Sequence, residues 1–237
     1  MNESVAAIRM EAAPACEPGA RVTRSLLGYG VIAGPLYVGA VLIQSLFRPG
    51  FDLTRHDASL LSNGSLGWIQ IANFVVTGLM VVACAAGIRR ALAGGRSAVW
   101  GPTLLAVYGI GMIGAGIFVA DPMNGFPIGA PAGRPDVITL HGMLHIVSAG
   151  FGFLAFVAAC FVLARRFAGQ NKQGWARFSM VTGVLFLAAF AGLASGSSSP
   201  VVVIAFWAAL LLAWAWLGSV AVHLYRNVPA ADQSKAA

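Results

Sequence analysis

Five stretches of the chain carry no charged residue: 25–47, 58–88, 97–120, 137–164 and 178–225. A helix needs ~20 mostly apolar residues to cross ~30 Å of hydrocarbon. The stretches therefore trim to predicted spans at 25–47, 67–88, 98–120, 137–164, 178–196 and 200–223. The last two share one 48-residue uncharged run, broken by Gly196, Ser197, Ser198, Ser199 and Pro200. Small polar residues followed by proline predict a tight turn and a new helix start. Barrel strands would alternate apolar and polar positions over ~10 residues, and these runs do not alternate. The pattern predicts an all-α fold, a polytopic membrane protein built as a six-transmembrane-helix bundle.

Composition agrees. Of 237 residues, 58% are hydrophobic and 10% charged, against ~45–50% and ~25% in soluble domains. Disordered, collagen-like and disulfide-scaffold classes need other compositions. With six spans, one side holds Arg9, Arg21, Arg24, Arg89, Arg90, Arg96, Arg165, Arg166, Lys172, Arg177, Arg226 and Lys235, and the other only Arg48, Arg55 and Arg134. Basic loops stay in the cytoplasm, so both termini are expected there. Residues 1–24, with Glu3, Glu11 and Glu17 ahead of Arg21 and no basic-then-apolar order, read as a flexible cytoplasmic tail rather than a signal peptide. Residues 25–223 read as the membrane domain and 224–237 as a second cytoplasmic tail. The +7 formal charge is spread over short connections, which excludes a nucleic-acid partner and leaves topology and anionic headgroups as its use. No disulfide is expected of Cys16, Cys84 or Cys160. Small-residue pairs such as Gly192/Gly196 and Ser148/Gly152 have the spacing that lets membrane helices approach closely.

The scarce polar residues are not evenly placed. Asp52, Asp57, Asp121 and Asp136 all fall on the expected outer side, with three of the four histidines. Topology alone requires no such asymmetry. Loop 48–66, RPGFDLTRHDASLLSNGSL, mixes apolar and charged residues in the manner of a packed functional loop, with one or two helical turns at 57–61; the alternative is an amphipathic surface loop held by Asp–Arg pairing. Asn63-Gly64 reads as a turn. Loop 121–136, DPMNGFPIGAPAGRPD, has four prolines and three glycines and should form a shaped cover. A faint echo links Arg48-Pro49-Gly50-Phe51 to Asp121-Pro122-Met123-Asn124-Gly125-Phe126, each after an outward-running helix, as a duplicated hairpin would leave.

Helix 4 places His141 and His145 four residues apart on one face, roughly 7 and 13 Å below its outer end, with Ser148 one turn deeper. Intramembrane ionisable residues normally face the bundle interior. Gln70, Asn73 and Thr77 of helix 2, Gln44 of helix 1 and Ser195 of helix 5 fall at a similar depth. A polar pocket capped by the two loops accounts for so many buried amides, while the bland alternative is that neutral histidines hydrogen-bond neighbouring helices.

The stretch 48–79, RPGFDLTRHDASLLSNGSLGWIQIANFVVTGL, the DPxxGFP segment and HGMLH together resemble the bacterial family known as domain of unknown function 998. The similarity covers roughly residues 25–223, and the matching positions include Arg48, Pro49, Gly50, Asp52, Arg55, His56, Ser59, Gly67, Trp68, Gln70, Asn73, Asp121, Pro122, Gly125, Pro127, His141 and His145. The resemblance implies a multi-pass protein of the bacterial plasma membrane and supplies no catalytic residues.

Two function classes follow from the residues. In the first, His141, His145 and Asp121 hold a zinc-like divalent metal, and a metal-bound water attacks an ester or amide of a lipid-like substrate while Arg55 or Ser59 stabilises the oxyanion. HxxxH without a glutamate is a much weaker signature than HExxH. In the second, a non-enzymatic site binds a lipid headgroup, quinone or small amphiphile, with Asp52, His56, Gln70, Asn73 and Ser148 as ligand-binding candidates beside Arg55 and Asp121. Proton-coupled transport lacks charged steps in the inner helix halves. Haem is disfavoured, since two histidines on one face cannot supply opposite axial ligands, and no nucleotide motif is present.

Overall fold

The computed structural model describes residues 18–197 and 199–228. It contains six long helices, α1 (Pro18–Phe47), α2 (Gly67–Ala91), α3 (Ser97–Ile117), α4 (Leu140–Gly169), α5 (Gln173–Ala194) and α6 (Pro200–Asn227), with one short 3₁₀ helix, Ala58–Ser62, between α1 and α2. All six are long and apolar enough to cross a membrane. No strand longer than an isolated bridge occurs among the described residues.

On the arginine-rich side the helix ends run past the apolar boundaries read from sequence, whereas on the other side α3 stops at Ile117, α4 starts only at Leu140 and α5 stops at Ala194, two or three residues short of the expected spans. Residues 18–24, expected in the flexible tail, form the start of α1, and 224–227 finish α6; residues 1–17, with Cys16, and 229–237 lie outside the described residues. The physical reason is that arginine can lay its aliphatic stem along a helix while its charge reaches the boundary. Arg89, Arg90 and Arg166 sit in last turns, where cations complement the helix dipole. Arg90 and Arg166 also bind neighbours, as does Arg24 in the first turns of α1. Arg90 donates to Thr23 Oγ1 at 3.1 Å, Arg24 to the Val228 carbonyl at 3.0 Å, and Arg166 to the Ala93 and Gly94 carbonyls at 2.8 and 3.0 Å. Cations expected to serve only topology and lipid therefore also tie helix ends together.

Each helix packs on the next in sequence, and α1 against α6 closes the ring. Two seams are backbone-close. A Cβ on Gly78 would stand 2.6 Å from the Gly109 carbonyl, and one on Gly109 2.7 Å from the Gly78 carbonyl, so α2 and α3 touch where only glycine fits. On the other side of α3, a Cβ on Gly111 would lie 2.7 Å from the Ser148 carbonyl and 2.8 Å from Gly152 Cα. The Ser148/Gly152 pair is thus the α4 half of a helix seam. At the turn expected over 196–200, Gly196 has φ +85° and Pro200 begins α6 behind Ser199, with Ser198 outside the described residues. Cys84 and Cys160 are buried free thiols. Large apolar side chains such as Ile43, Leu46, Phe151 and Val201 point outward, as lipid-facing positions do.

Candidate functional site

Both long loops lie at the same end of the ring and pack on each other. Arg48, directly after α1, is buried; its guanidinium donates to the Leu61 carbonyl at 2.9 Å and to the Asn63 carbonyl, and stands 5.2 Å over the Phe126 ring. Burial lowers its pKa from the ordinary arginine value. The fork thus folds the first loop back on its own start and docks it on the second. Asp57 caps the 3₁₀ helix by accepting from Ser59 N at 2.9 Å, and Leu60 and Leu61 are buried beneath it.

His56 joins the loops. Its Nδ1 lies 2.9 Å from the Asp52 amide, which can only donate, and its Nε2 lies 3.0 Å from the Asn124 carbonyl, which can only accept. The ring is therefore the Nε2–H tautomer with both nitrogens engaged. Trp207 of α6 donates to the His56 carbonyl at 3.2 Å, anchoring the loop to the helix ring. Asp52 is exposed; its Oδ1 accepts from Thr54 Oγ1 at 2.7 Å and Thr54 N at 2.8 Å, which holds its carboxyl below the usual range.

The second loop is closed at its far end by Asp121. Its carboxylate accepts from Thr139 Oγ1 at 2.6 Å and Thr139 N at 3.0 Å, and Thr139 in turn accepts from Gly142 N at 3.0 Å as the N-cap of α4. The negative charge sits at the positive end of the helix dipole. A Cβ on Gly142 would collide with this carboxylate, so a glycine in the first turn of α4 makes room for the acid.

Beneath the loops lies a cavity of about 470 Å³, within the ~300–1,000 Å³ range of small-molecule sites. Its mouth is lined by Arg55, Asp57, Ser59, Asp121, Asn124 and Arg134, and Arg134 reaches across to Gly196 of the α5–α6 turn. Its base is lined by Tyr37, Phe74, Tyr108, Phe153, Phe206 and Leu210. All six helices contribute. The polarity therefore falls sharply from mouth to base.

His145 sits in this wall, 5% exposed. Its Nδ1 is 2.9 Å from the Ala115 carbonyl and 2.8 Å from the Phe118 carbonyl, at the end of α3. Both are acceptors, so Nδ1 carries a proton; in the neutral ring Nε2 is then an acceptor, and it has no hydrogen bond among the described residues.

The expected site residues separate into two groups. Arg55, Ser59, Asp121 and His145 line one cavity. His141 does not join them: it is exposed, with its ring 5.9 Å from that of Phe118. It lies one turn closer to the start of α4 than His145, beside Phe118 where the chain leaves α3. Among the described residues, no group of three or more His, Cys, Asp or Glu side chains is placed to hold a metal. Asp52 and His56 build the loops. Ser148 faces Gly114 of α3, where an added Cβ would lie 2.7 Å from its hydroxyl. Gln70 and Asn73 turn toward α1: Gln44 donates to Gln70 Oε1 at 2.8 Å, and Asn73 donates to the Tyr37 carbonyl at 3.2 Å and to Gln70 Oε1 at 3.3 Å. A shared depth in sequence is a helix–helix seam in three dimensions. Arg134 and the aromatic base were not singled out from sequence, because an arginine in a proline-rich loop and apolar residues inside spans carry no local mark of a cavity.

The family model described as "Protein of unknown function (DUF998)" matches residues 31–223. No curated protein and no solved structure matches the chain. The matched region takes in all of α2–α5, most of α1 and α6, both loops and the cavity; the chain belongs to the DUF998 family.

Proposed function

We propose that the protein is a non-enzymatic binding protein of the bacterial plasma membrane, with both termini cytoplasmic, whose outward-facing cavity holds a single-chain amphiphile with an anionic head. The observation carrying this reading is the polarity gradient of the cavity: Arg55 and Arg134 at its mouth, and Tyr37, Phe74, Tyr108 and Phe206 at its base. Two guanidiniums at a membrane boundary attract a phosphate or carboxylate, while the two carboxylates of the mouth are engaged within the protein, Asp57 by the Ser59 amide and Asp121 by Thr139, and each methylene buried below contributes about 0.8 kcal/mol. Metal-dependent hydrolysis has less support, since His141 stands apart from His145 and Asp121 has its carboxylate engaged at the α4 cap.

Binding to delipidated protein in mild detergent, measured with a fluorescent single-chain alkyl phosphate, tests the reading. The probe should bind saturably and be displaced by unlabelled alkyl phosphate. Ala149→Trp, which places an indole in the cavity wall, should abolish binding. Arg55→Gln with Arg134→Gln should weaken an anionic probe more than a zwitterionic one of the same chain. Saturable binding untouched by Ala149→Trp would place the amphiphile elsewhere and end this reading.

A further inference from the structure

Resting on that reading, we infer that His145 selects an amphiphile whose head carries a free hydroxyl next to its anionic group, as a lysophospholipid does. Three observations converge. The two carbonyls at the end of α3 accept from Nδ1, at 2.9 and 2.8 Å, and so set one tautomer. In the neutral imidazole that tautomer makes Nε2 a pure acceptor. The residue is nineteen-twentieths buried and lines the cavity together with Arg55 and Arg134.

A buried acceptor favours a donor, and its preference is for O–H or N–H over a carbonyl, ether or second anion. The other polar groups sort the rest of the head. Arg55 and Arg134 lie in the loops at the mouth, whereas His145 lies in the second turn of α4, roughly 8 Å below the start of that helix. An amphiphile entering head-outward therefore passes its chain to the aromatic base, its hydroxyl to the level of His145, and its anionic group to the arginines. A monoacylglycerol phosphate presents chain, hydroxyl and phosphate in that order. A fatty acid has no hydroxyl, and a diacyl lipid has esterified it.

The test uses wild-type protein and three probes: 1-oleoylglycerol 3-phosphate, the matched oleoyloxypropyl phosphate with hydrogen in place of the hydroxyl, and the methyl ether of the hydroxyl. The hydroxyl probe should bind about tenfold more tightly than the deoxy probe, the factor equivalent to ~1.4 kcal/mol. The methyl ether, which keeps the oxygen but cannot donate, should bind no better than the deoxy probe. His145→Phe should erase the difference between the first two. Should that variant fail to fold, the three probes on wild-type protein still decide. Equal binding of hydroxyl and deoxy probes overturns the role of His145 and leaves the amphiphile site standing; binding of neither overturns both.

Discussion

Phe51 and Phe126 meet edge to face, with ring centroids 5.2 Å apart and planes at 81°. Each follows a glycine in the left-handed region, Gly50 at φ +84° and Gly125 at φ +82°, so the echo between the two loops is one of backbone as well as of sequence. The matching phenylalanines pack on each other, and the Arg48 guanidinium and His56 ring close on Phe126 from other sides. Phe126→Ala should lower stability by about 3–5 kcal/mol, the usual cost of emptying a buried phenylalanine site. Phe126→Leu should cost clearly less. Unfolding in mixed micelles measures both, and limited proteolysis should cut loops 48–66 and 118–139 of the alanine variant first.

His56→Leu tests the clasp between the loops. The substitution removes the acceptor of the Asp52 amide and the donor to the Asn124 carbonyl. A partly buried group left without a partner costs about 1–3 kcal/mol, so a loss of about 2–4 kcal/mol is expected. Amide exchange at Asp52 should accelerate in the variant, whereas exchange in the middle of α2 should not. Unchanged protection at Asp52 would mean that the imidazole does not hold the turn.

Gly142→Ala and Asp121→Ala should be strongly non-additive. Alone, Gly142→Ala drives a methyl into the Asp121 carboxylate and should destabilise by about 1–3 kcal/mol. With Asp121→Ala already made, the space is open and the helix preference for alanine over glycine, about 0.8–1.0 kcal/mol, should turn the same change stabilising. A double-mutant cycle reads the sign change directly.

The Asp52 turn responds to pH in one direction. The Thr54 bonds hold the carboxyl below its usual range, so the turn's stabilisation is fully present above the unfolded-state value and is lost as pH falls through the lower folded-state value. Thr54→Ala removes the hydroxyl bond and keeps the amide bond. The carboxyl should then titrate part of the way back toward ordinary values, followed by the ¹³C shift of Asp52.

Six helices, their order and their turns are properties of local sequence. Uncharged runs long enough to span, the Gly196-to-Pro200 break and the glycine-punctuated loops each act over a few residues, through burial of apolar side chains and backbone sterics. Which polar residue faces what is a different matter. His141 and His145 share a helical face by spacing, yet one is exposed and the other buried, because the last carbonyls of α3 meet only the deeper ring. Gln70 and Asn73 have the depth of a ligand layer but meet α1 across a seam. Arg48 and Arg134, alike as loop arginines, become a buried clamp and a mouth residue according to where the other loop lies. These outcomes depend on the relative height and rotation of helices distant in sequence, and only the assembled ring settles them.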